Sequence, residues 1–239
     1  DIQTAHDNAI AGDRILITVD GTYNRVDVSK TLTIENATTG TVTLDGGGVD
    51  GTSVVNVNSG TGTLDLIGLT ITNSGDHGIA MNTGATVNIS DCSITGNVED
   101  GIRILNIGTN NINLTSSSVD GNSFRGITSD TESGGVGPTT NITMVDSSVS
   151  GNWETGILSG APNGVFLETN MNFTNSSVDG NGTGGFGRGI QFFAGSLTMD
   201  GGSISNNPNQ GLRPEGGAGG FVINLDGVDI IGNSEVNVA

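Results

Sequence analysis

Val87-Asn88-Ile89-Ser90-Asp91-Cys92-Ser93-Ile94-Thr95-Gly96-Asn97-Val98-Glu99-Asp100-Gly101-Ile102-Arg103-Ile104 is the stretch on which the fold turns. Val87 and Ile89 alternate with polar neighbours, the period-2 signature of a short strand with one buried face. The phase then slips, and Cys92 and Ile94 form a second pair out of step with the first, so a bend separates them. Gly96-Asn97 supplies another bend, because both residues tolerate φ > 0. Gly101-Ile102 opens a third strand. Three short strands and three bends bury little by themselves, so this unit needs neighbours of its own kind.

The neighbours are in the chain. Taking Ile94 as an anchor, equivalent residues stand at Ile71, Val119, Val149, Val178, Ile204 and Ile230, at intervals averaging about 26 residues. Five before each anchor come Leu66, Ile89, Leu114, Met144, Phe173, Met199 and Leu225. Seven before come Leu64, Val87, Ile112, Ile142, Met171, Leu197 and Ile223. Two before stands a mostly small residue, Cys92, Ser117, Ser147, Ser176 or Gly202 among them. Three after come Asn97, Asn122, Asn152, Asn181, Asn207 and Asn233, with Ser74 in the first copy. Seven after comes a Gly followed by Ile or Leu, at Gly78, Gly101, Gly126, Gly156 and Gly211. The fifth copy reaches Gly189-Ile190 after four extra residues near Gly182 to Gly185. Parallel stacking of such coils gives an all-β solenoid in which each column is buried or exposed as a whole. The asparagine column predicts an internal ladder of amides bonded to backbone and to each other.

The whole chain, 1–239, reads as one domain in three parts. Residues 61–239 hold the seven regular repeats. Residues 14–60 hold less regular strands around Ile15–Val19, Thr31–Ile34, Thr41–Leu44 and Val54–Val57, enough for about two more coils. Residues 1–13 read as a helix, with Ile2, Ala5, Ala9 and Ile10 on one face, capping the open end of the core. No matching cap is legible after Ile230, which implies a following domain or end-to-end self-association.

Composition removes several classes of function. Seven Lys and Arg against 25 Asp and Glu give a formal charge of −18, which argues against nucleic acid, whose phosphates need a basic face. No apolar run reaches the roughly 20 residues of a membrane span. Forty-one glycines and 4% aromatic residues point to strands and turns rather than helices. Cys92, the only cysteine, has no partner for an internal disulfide and sits in the small-residue column, as a buried structural thiol would.

These columns resemble the right-handed parallel β-helix of the pectate-lyase-like superfamily. The opening is similar to that family's N-terminal module: Ile2-Gln3-Thr4-Ala5, then Ala11-Gly12-Asp13-Arg14-Ile15, Asp20-Gly21-Thr22-Tyr23 and Lys30-Thr31-Leu32-Thr33-Ile34. The resemblance implies a right-handed β-helix with three short strands per coil and an N-terminal capping helix. Its functional reach is wide, from polysaccharide lyases, hydrolases and epimerases to tailspikes, adhesins and structural surface proteins. The Asp-Pro-His-Asp run of alginate epimerases is absent. Gly75-Asp76-His77-Gly78 is only loosely similar to the Gly-His-Gly of polygalacturonases and lacks that family's other motifs.

One stripe asks for a reason. Arg103, Arg125, Arg188 and Arg213 all sit beside the Gly-Ile landmark. Arg125 and Arg188 directly precede the glycine, in a column with His77, Asp100, Thr155 and Gln210. Arg103 and Arg213 follow it by two, in a column with Ala80, Thr128, Leu158 and Gln191. Guanidinium forks suit carboxylates and sugar hydroxyls, so Arg103, Arg125, Arg188, Gln191 and Arg213, with Phe193 as a stacking platform, form a candidate glycan-binding face. The alternative is that the arginines neutralise acidic neighbours through ion pairs along the stack. Arg125 with Asp100 and Glu154 is the best candidate catalytic set, a lyase needing a base beside carboxylates that neutralise Ca²⁺ and a glycosidase needing two carboxyl groups. Asp130 and Glu215 lie close in register. Phe192 is expected in the core and Phe186 near the enlarged turn, while Trp153, which follows the ladder Asn152 in a turn, is a second candidate stacking platform. His77 reads as a surface residue. The segments Ser129–Thr140 and Ser159–Glu168 read as loops overhanging the stripe.

No cofactor is required by the pattern. Calcium is the one candidate ion, with Asp45 and Asp50 in the loop Asp45-Gly46-Gly47-Gly48-Val49-Asp50 as candidate ligands. The leading expectation is an extracellular or cell-surface recognition module of adhesin or fibre type, gripping polysaccharide along the arginine face. A polysaccharide lyase or glycoside hydrolase acting on acidic glycans is the first alternative, and an end-to-end filament subunit the second.

Overall fold

The computed structural model describes residues 1–105, 108–130, 139–160, 167–215 and 220–235. Each coil runs through three short strands that pair in parallel with their equivalents above and below. In the coil quoted above these are Thr86–Ser90, Ser93–Thr95 and Ile102–Leu105. Among the described residues the first two faces merge into one folded 15-stranded sheet, and the third forms a separate eight-stranded sheet. The merger is direct in the later coils, where Glu168–Asp179 and Gly195–Ser203 each run through the bend as one strand.

Register follows the sequence columns residue for residue. Val87 pairs between Leu64 and Ile112, Ile94 between Ile71 and Val119, and Ile102 between Ile79 and Ile127. All of these side chains are buried, in a single core cluster running from Ile2 to Leu212. Each buried aliphatic side chain contributes about 1.5–3 kcal/mol, which is how a narrow solenoid with only 33% hydrophobic residues holds together. The irregular segment 14–60 makes two coils. Arg14–Ile17, Gly21–Asn24 and Val26–Val28 pair respectively with Leu32–Asn36, Val42–Asp45 and Val55–Val57.

Two bends per coil depend on left-handed backbone. One precedes the ladder asparagine, as at Gly121 (φ 63°), with Asn206 (φ 55°) in the sixth copy. The other, between the first and second strands, carries Asp91, Ser116, Asp146 and Asn175, all at φ of 47–53°. Short polar side chains reach this region at modest cost because they bond locally. The glycine before Ile is needed for a different reason. At Gly101 a Cβ would come within 2.7 Å of the Asn122 amide nitrogen in the next coil, so bare backbone is required for the coils to close up.

The asparagine ladder is continuous. Asn97, Asn122 and Asn152 donate amide to amide at 2.9, 2.9 and 2.8 Å, the last reaching Asn181. Each also gives an amide proton to a strand carbonyl, as Asn152 does to Val119 at 3.0 Å, and accepts a backbone N–H from the coil before. A second ladder occupies the small-residue column. Backbone N–H groups of Cys92, Ser117 and Ser147 donate to the hydroxyls of Ser117, Ser147 and Ser176 at 3.1, 3.1 and 3.2 Å. Cys92 is the thiol rung: Leu69 N–H points to its Sγ at 3.4 Å, and burial pushes the thiol up to about 11.

The N-terminal helix, Ile2–Asn8, is capped by Asp1, whose carboxylate accepts the Gln3 N–H at 3.0 Å. It buries Ile2 and His6 against the first coil. Ile10 departs from the expected apolar face: it lies beyond the helix and is 72% exposed. At the other end, Phe221–Asp226 continues the long sheet, while Asp229 near the last anchor makes only an isolated bridge to Ser203. Residues 131–138 and 161–166, most of the two expected overhanging loops, lie outside the described residues, as does 236–239.

Candidate functional site

The arginine stripe lies on the outward face of the eight-stranded sheet and on the turn leading into it. Strand residues pointing outward stack as Asn56, Ala80, Arg103, Thr128, Leu158, Gln191 and Arg213. The column before Gly-Ile is stacked beside them by backbone bonds such as Gly101 N–H to Arg125 O at 2.9 Å. Both sequence columns therefore meet on one surface.

Asp100 is the hub, with a side chain that has no exposed surface. One carboxylate oxygen accepts from Arg103 Nη1 at 3.3 Å and the other from the Arg125 backbone N–H at 3.3 Å. Burial pushes the Asp100 carboxyl up to about 6, against the pull of Arg103 and Arg125. Its own N–H donates to His77 Nδ1 at 3.2 Å, which leaves the His77 proton on Nε2, 3.2 Å from Asp76 Oδ1. Burial pushes His77 down to about 4, so the ring is neutral at physiological pH. His77 is thus a wedged part of the network rather than the surface residue expected, because its ring is caught between Asp76 and Asp100.

Every arginine of the stripe has partners. Arg103 also reaches Asp130 at 2.9 Å. Arg125 Nε faces Glu154 at 2.7 Å, with its guanidinium 4.2 Å above the Phe124 ring. Arg188 donates to Gln210 at 2.7 Å and Gln191 at 3.0 Å. Arg213 pairs with Glu215 at 2.6 Å, and Gln191 donates to the same carboxylate at 3.0 Å. Ion pairs along the stack are present, and they leave a lattice of fixed donors and acceptors rather than a free cationic strip. Asp100 is fully covered, so it acts on a ligand only through Arg103 and Arg125. Among the catalytic set, Arg125 and Glu154 remain partly accessible.

Beside Arg103 the surface dips into a cavity of about 430 Å³ lined by Ser53, Asn56, Asp76, His77, Asn82, Glu99 and Arg103. Asn56 and Ser53 were not legible as site residues, because the repeat columns anchored at Ile71 do not extend back to the irregular coils, and Asn82 belongs to no repeated column. Aligning Asn56 with Ala80 and Arg103 through its strand would have found it.

Phe193 is half-buried, its ring laid on Gly160, where a Cβ would come within 2.5 Å. Phe192 is in the core, edge-on to Phe221 at 5.3 Å. The two calcium candidates stand apart from the stripe. Asp45 accepts the Gly47 N–H and the Asn73 amide, both at 2.7 Å, and so braces its turn, while Asp50 bridges to Gly75. Among the described residues no cluster of three or more His, Cys, Asp or Glu forms a metal-sized group. Nor, among them, is any helix long and apolar enough to cross a membrane.

Comparison with known proteins agrees with this architecture. The family model described as a right-handed β-helix region matches residues 53–234. The crystal structure of pectate lyase Pel9A superimposes with a TM-score of 0.65 at 14% identity, over 99% of this chain and 72% of that one. At that identity the likeness speaks for the fold. No curated protein matches the sequence.

Proposed function

The chain belongs to the right-handed β-helix family, and from that premise we propose that it is a recognition module that holds a polysaccharide along the outward face of its eight-stranded sheet. The observation that carries this reading is the cavity beside Arg103, where amide, hydroxyl, imidazole, carboxylate and guanidinium groups converge on one concave, open surface. Convergent, preorganised polar groups of both senses suit a ligand dense in hydroxyls. Because the guanidinium groups already face carboxylates and amides, a neutral or weakly charged glycan is favoured over a strongly anionic one. A recognition role of this kind belongs with an extracellular or cell-surface setting.

The test is a binding panel of neutral and acidic polysaccharides, read by calorimetry, with Arg103→Gln and Asn56→Ala as variants. Binding weakened at least tenfold by either, measured at a temperature where the variant is fully folded, supports the site. Binding indifferent to both moves the ligand elsewhere or removes it.

A second reading, a polysaccharide lyase or glycoside hydrolase, is favoured by two carboxylates, Asp76 and Glu99, lining the same cavity. Glycosidases work through such a pair. New reducing ends, or ultraviolet-absorbing unsaturated uronides, released from a bound polymer would establish it. Intact polymer after prolonged incubation would leave the recognition role.

A further inference from the structure

Resting on the polysaccharide reading, we propose a second, aromatic subsite on the turn edge beside the eight-stranded sheet, where Phe124, Trp153 and Phe186 stack against the apolar faces of successive sugar rings. The three residues occupy one turn in three consecutive coils, between the ladder asparagine and the Gly-Ile pair. Backbone bonds lay these turns one on the next. Trp153 N–H donates to Asn122 O at 3.0 Å, Glu154 N–H to Phe124 O at 2.8 Å and Gly184 N–H to Trp153 O at 3.0 Å. The rise between coils is about 4.8 Å, comparable with the length of one pyranose unit.

Exposure sets two of these rings apart, Phe124 being half-buried with the Arg125 guanidinium over one face. Trp153 is 54% exposed and Phe186 79%, in a chain with nine aromatic residues in all. Single exposed apolar residues need no explanation, but two large exposed rings on adjacent coils of the same turn are not scattered. The chain also builds a support for one of them. A Cβ on Gly184 would come within 2.5 Å of the indole, so Trp153 lies against bare backbone. That backbone belongs to the extra segment Gly182–Gly185 that distinguishes the fifth copy. The insertion and its glycines thereby acquire a role: they form the shelf under the indole.

The ligand class follows from what alternates with the rings. Arg125 follows Phe124, Glu154 follows Trp153, and Arg188 stands two after Phe186. Arg125 and Glu154 are ion-paired, and Arg188 is tied to Gln191 and Gln210. Apolar faces interleaved with fixed hydrogen-bonding groups match a pyranose, which has a C–H face and a hydroxyl rim. A protein partner would need about 800 Å² from each side, far more than a band three rings long. The paired guanidinium groups direct the choice to neutral sugars.

Trp153 is the only tryptophan, so its emission reports this turn alone. The full chain is titrated with gluco-, xylo-, manno- and galacturono-hexasaccharides, following fluorescence and calorimetry together. The expected result is a saturable change in Trp153 emission with at least one neutral hexasaccharide. Its affinity should fall five- to tenfold in Phe186→Ala and recover in Phe186→Tyr, with melting temperature unchanged in both. Saturable heat without an emission change, or Phe186→Ala binding like wild type, overturns the aromatic subsite while the cavity reading stands. Tighter binding of the galacturonide than of every neutral sugar overturns the ligand class. No binding of any hexasaccharide by either readout overturns both the subsite and the reading it rests on.

Discussion

Asn152 and Thr155 stand three residues apart in one turn, yet the columns they belong to behave in opposite ways. The asparagine column keeps the same residue for six coils, every rung bonded amide to amide and amide to backbone. The column before Gly-Ile changes at every step, through His77, Asp100, Arg125, Thr155, Arg188 and Gln210. Both columns meet the same stacking geometry. The difference lies in what each faces. Inward, an identical backbone requirement recurs every coil and selects an identical side chain. Away from the core no such requirement recurs, and the residues answer to local partners, which cover Asp100 and Thr155 and leave the arginines partly open to a ligand. Sameness along the solenoid marks what holds the fold, and variety marks where chemistry is placed.

The comparison can be broken most forcefully at the ladder. Asn152→Ala removes the acceptor of the Asn122 N–H and amide and the donor to Val119 O. Buried groups left unpaired cost about 1–3 kcal/mol each, so chemical denaturation should show a loss of roughly 3 kcal/mol. A loss below about 1 kcal/mol would mean the ladder relaxes around its gaps. Gly126→Ala should cost about 2 kcal/mol, since its Cβ would collide with Val149 and Asn152 in the next coil. Ser147→Ala, in the hydroxyl ladder, should cost about 1 kcal/mol by leaving the Ser117 N–H without its acceptor.

The outward column is sharpened by pH. Asp100, raised to about 6, contributes stability that is complete below its ordinary value and lost as pH rises through 6. His77, lowered to about 4, contributes stability that is complete above its ordinary 6.5 and lost as pH falls through 4. Between pH 4 and 6 the two oppose each other, and wild type should melt with little pH dependence from this pair. Replacing one member exposes the other. His77→Gln should become less stable as pH rises from 4 to 6, and Asp100→Asn more stable over the same interval. Parallel slopes in the two variants would contradict the assignment. Smallest of all, Arg213→Ala should change stability by at most about 0.5 kcal/mol, because its pair with Glu215 is partly solvated.

The repeat made the fold legible, because a column of aligned residues is visible wherever a requirement recurs. Ile71 to Ile230 and the six asparagines were readable for that reason, and the capping helix from the apolar face of Ile2, Ala5 and Ala9. The small-residue column was legible as buried but not as a ladder, since Ser and Cys signal size before they signal hydrogen bonding. The stripe was legible as a line of arginines, whereas its hub was not. Asp100 and His77 take their character from burial and from neighbours on adjacent coils, and no periodicity announces that. The cavity escaped because it straddles the join between irregular and regular coils, drawing Asn56 from one and Arg103 from the other.

The division between holding and binding is tested most directly by one paired measurement, melting temperature and glycan affinity on Asn152→Ala and Asn56→Ala side by side. Asn152→Ala should lower the melting temperature while the folded fraction binds like wild type. Asn56→Ala, whose amide bonds only the half-exposed Asp27, should melt like wild type while binding at least tenfold more weakly. Affinity lost in Asn152→Ala at temperatures where it is fully folded, or Asn56→Ala losing stability and keeping its affinity, would contradict that division.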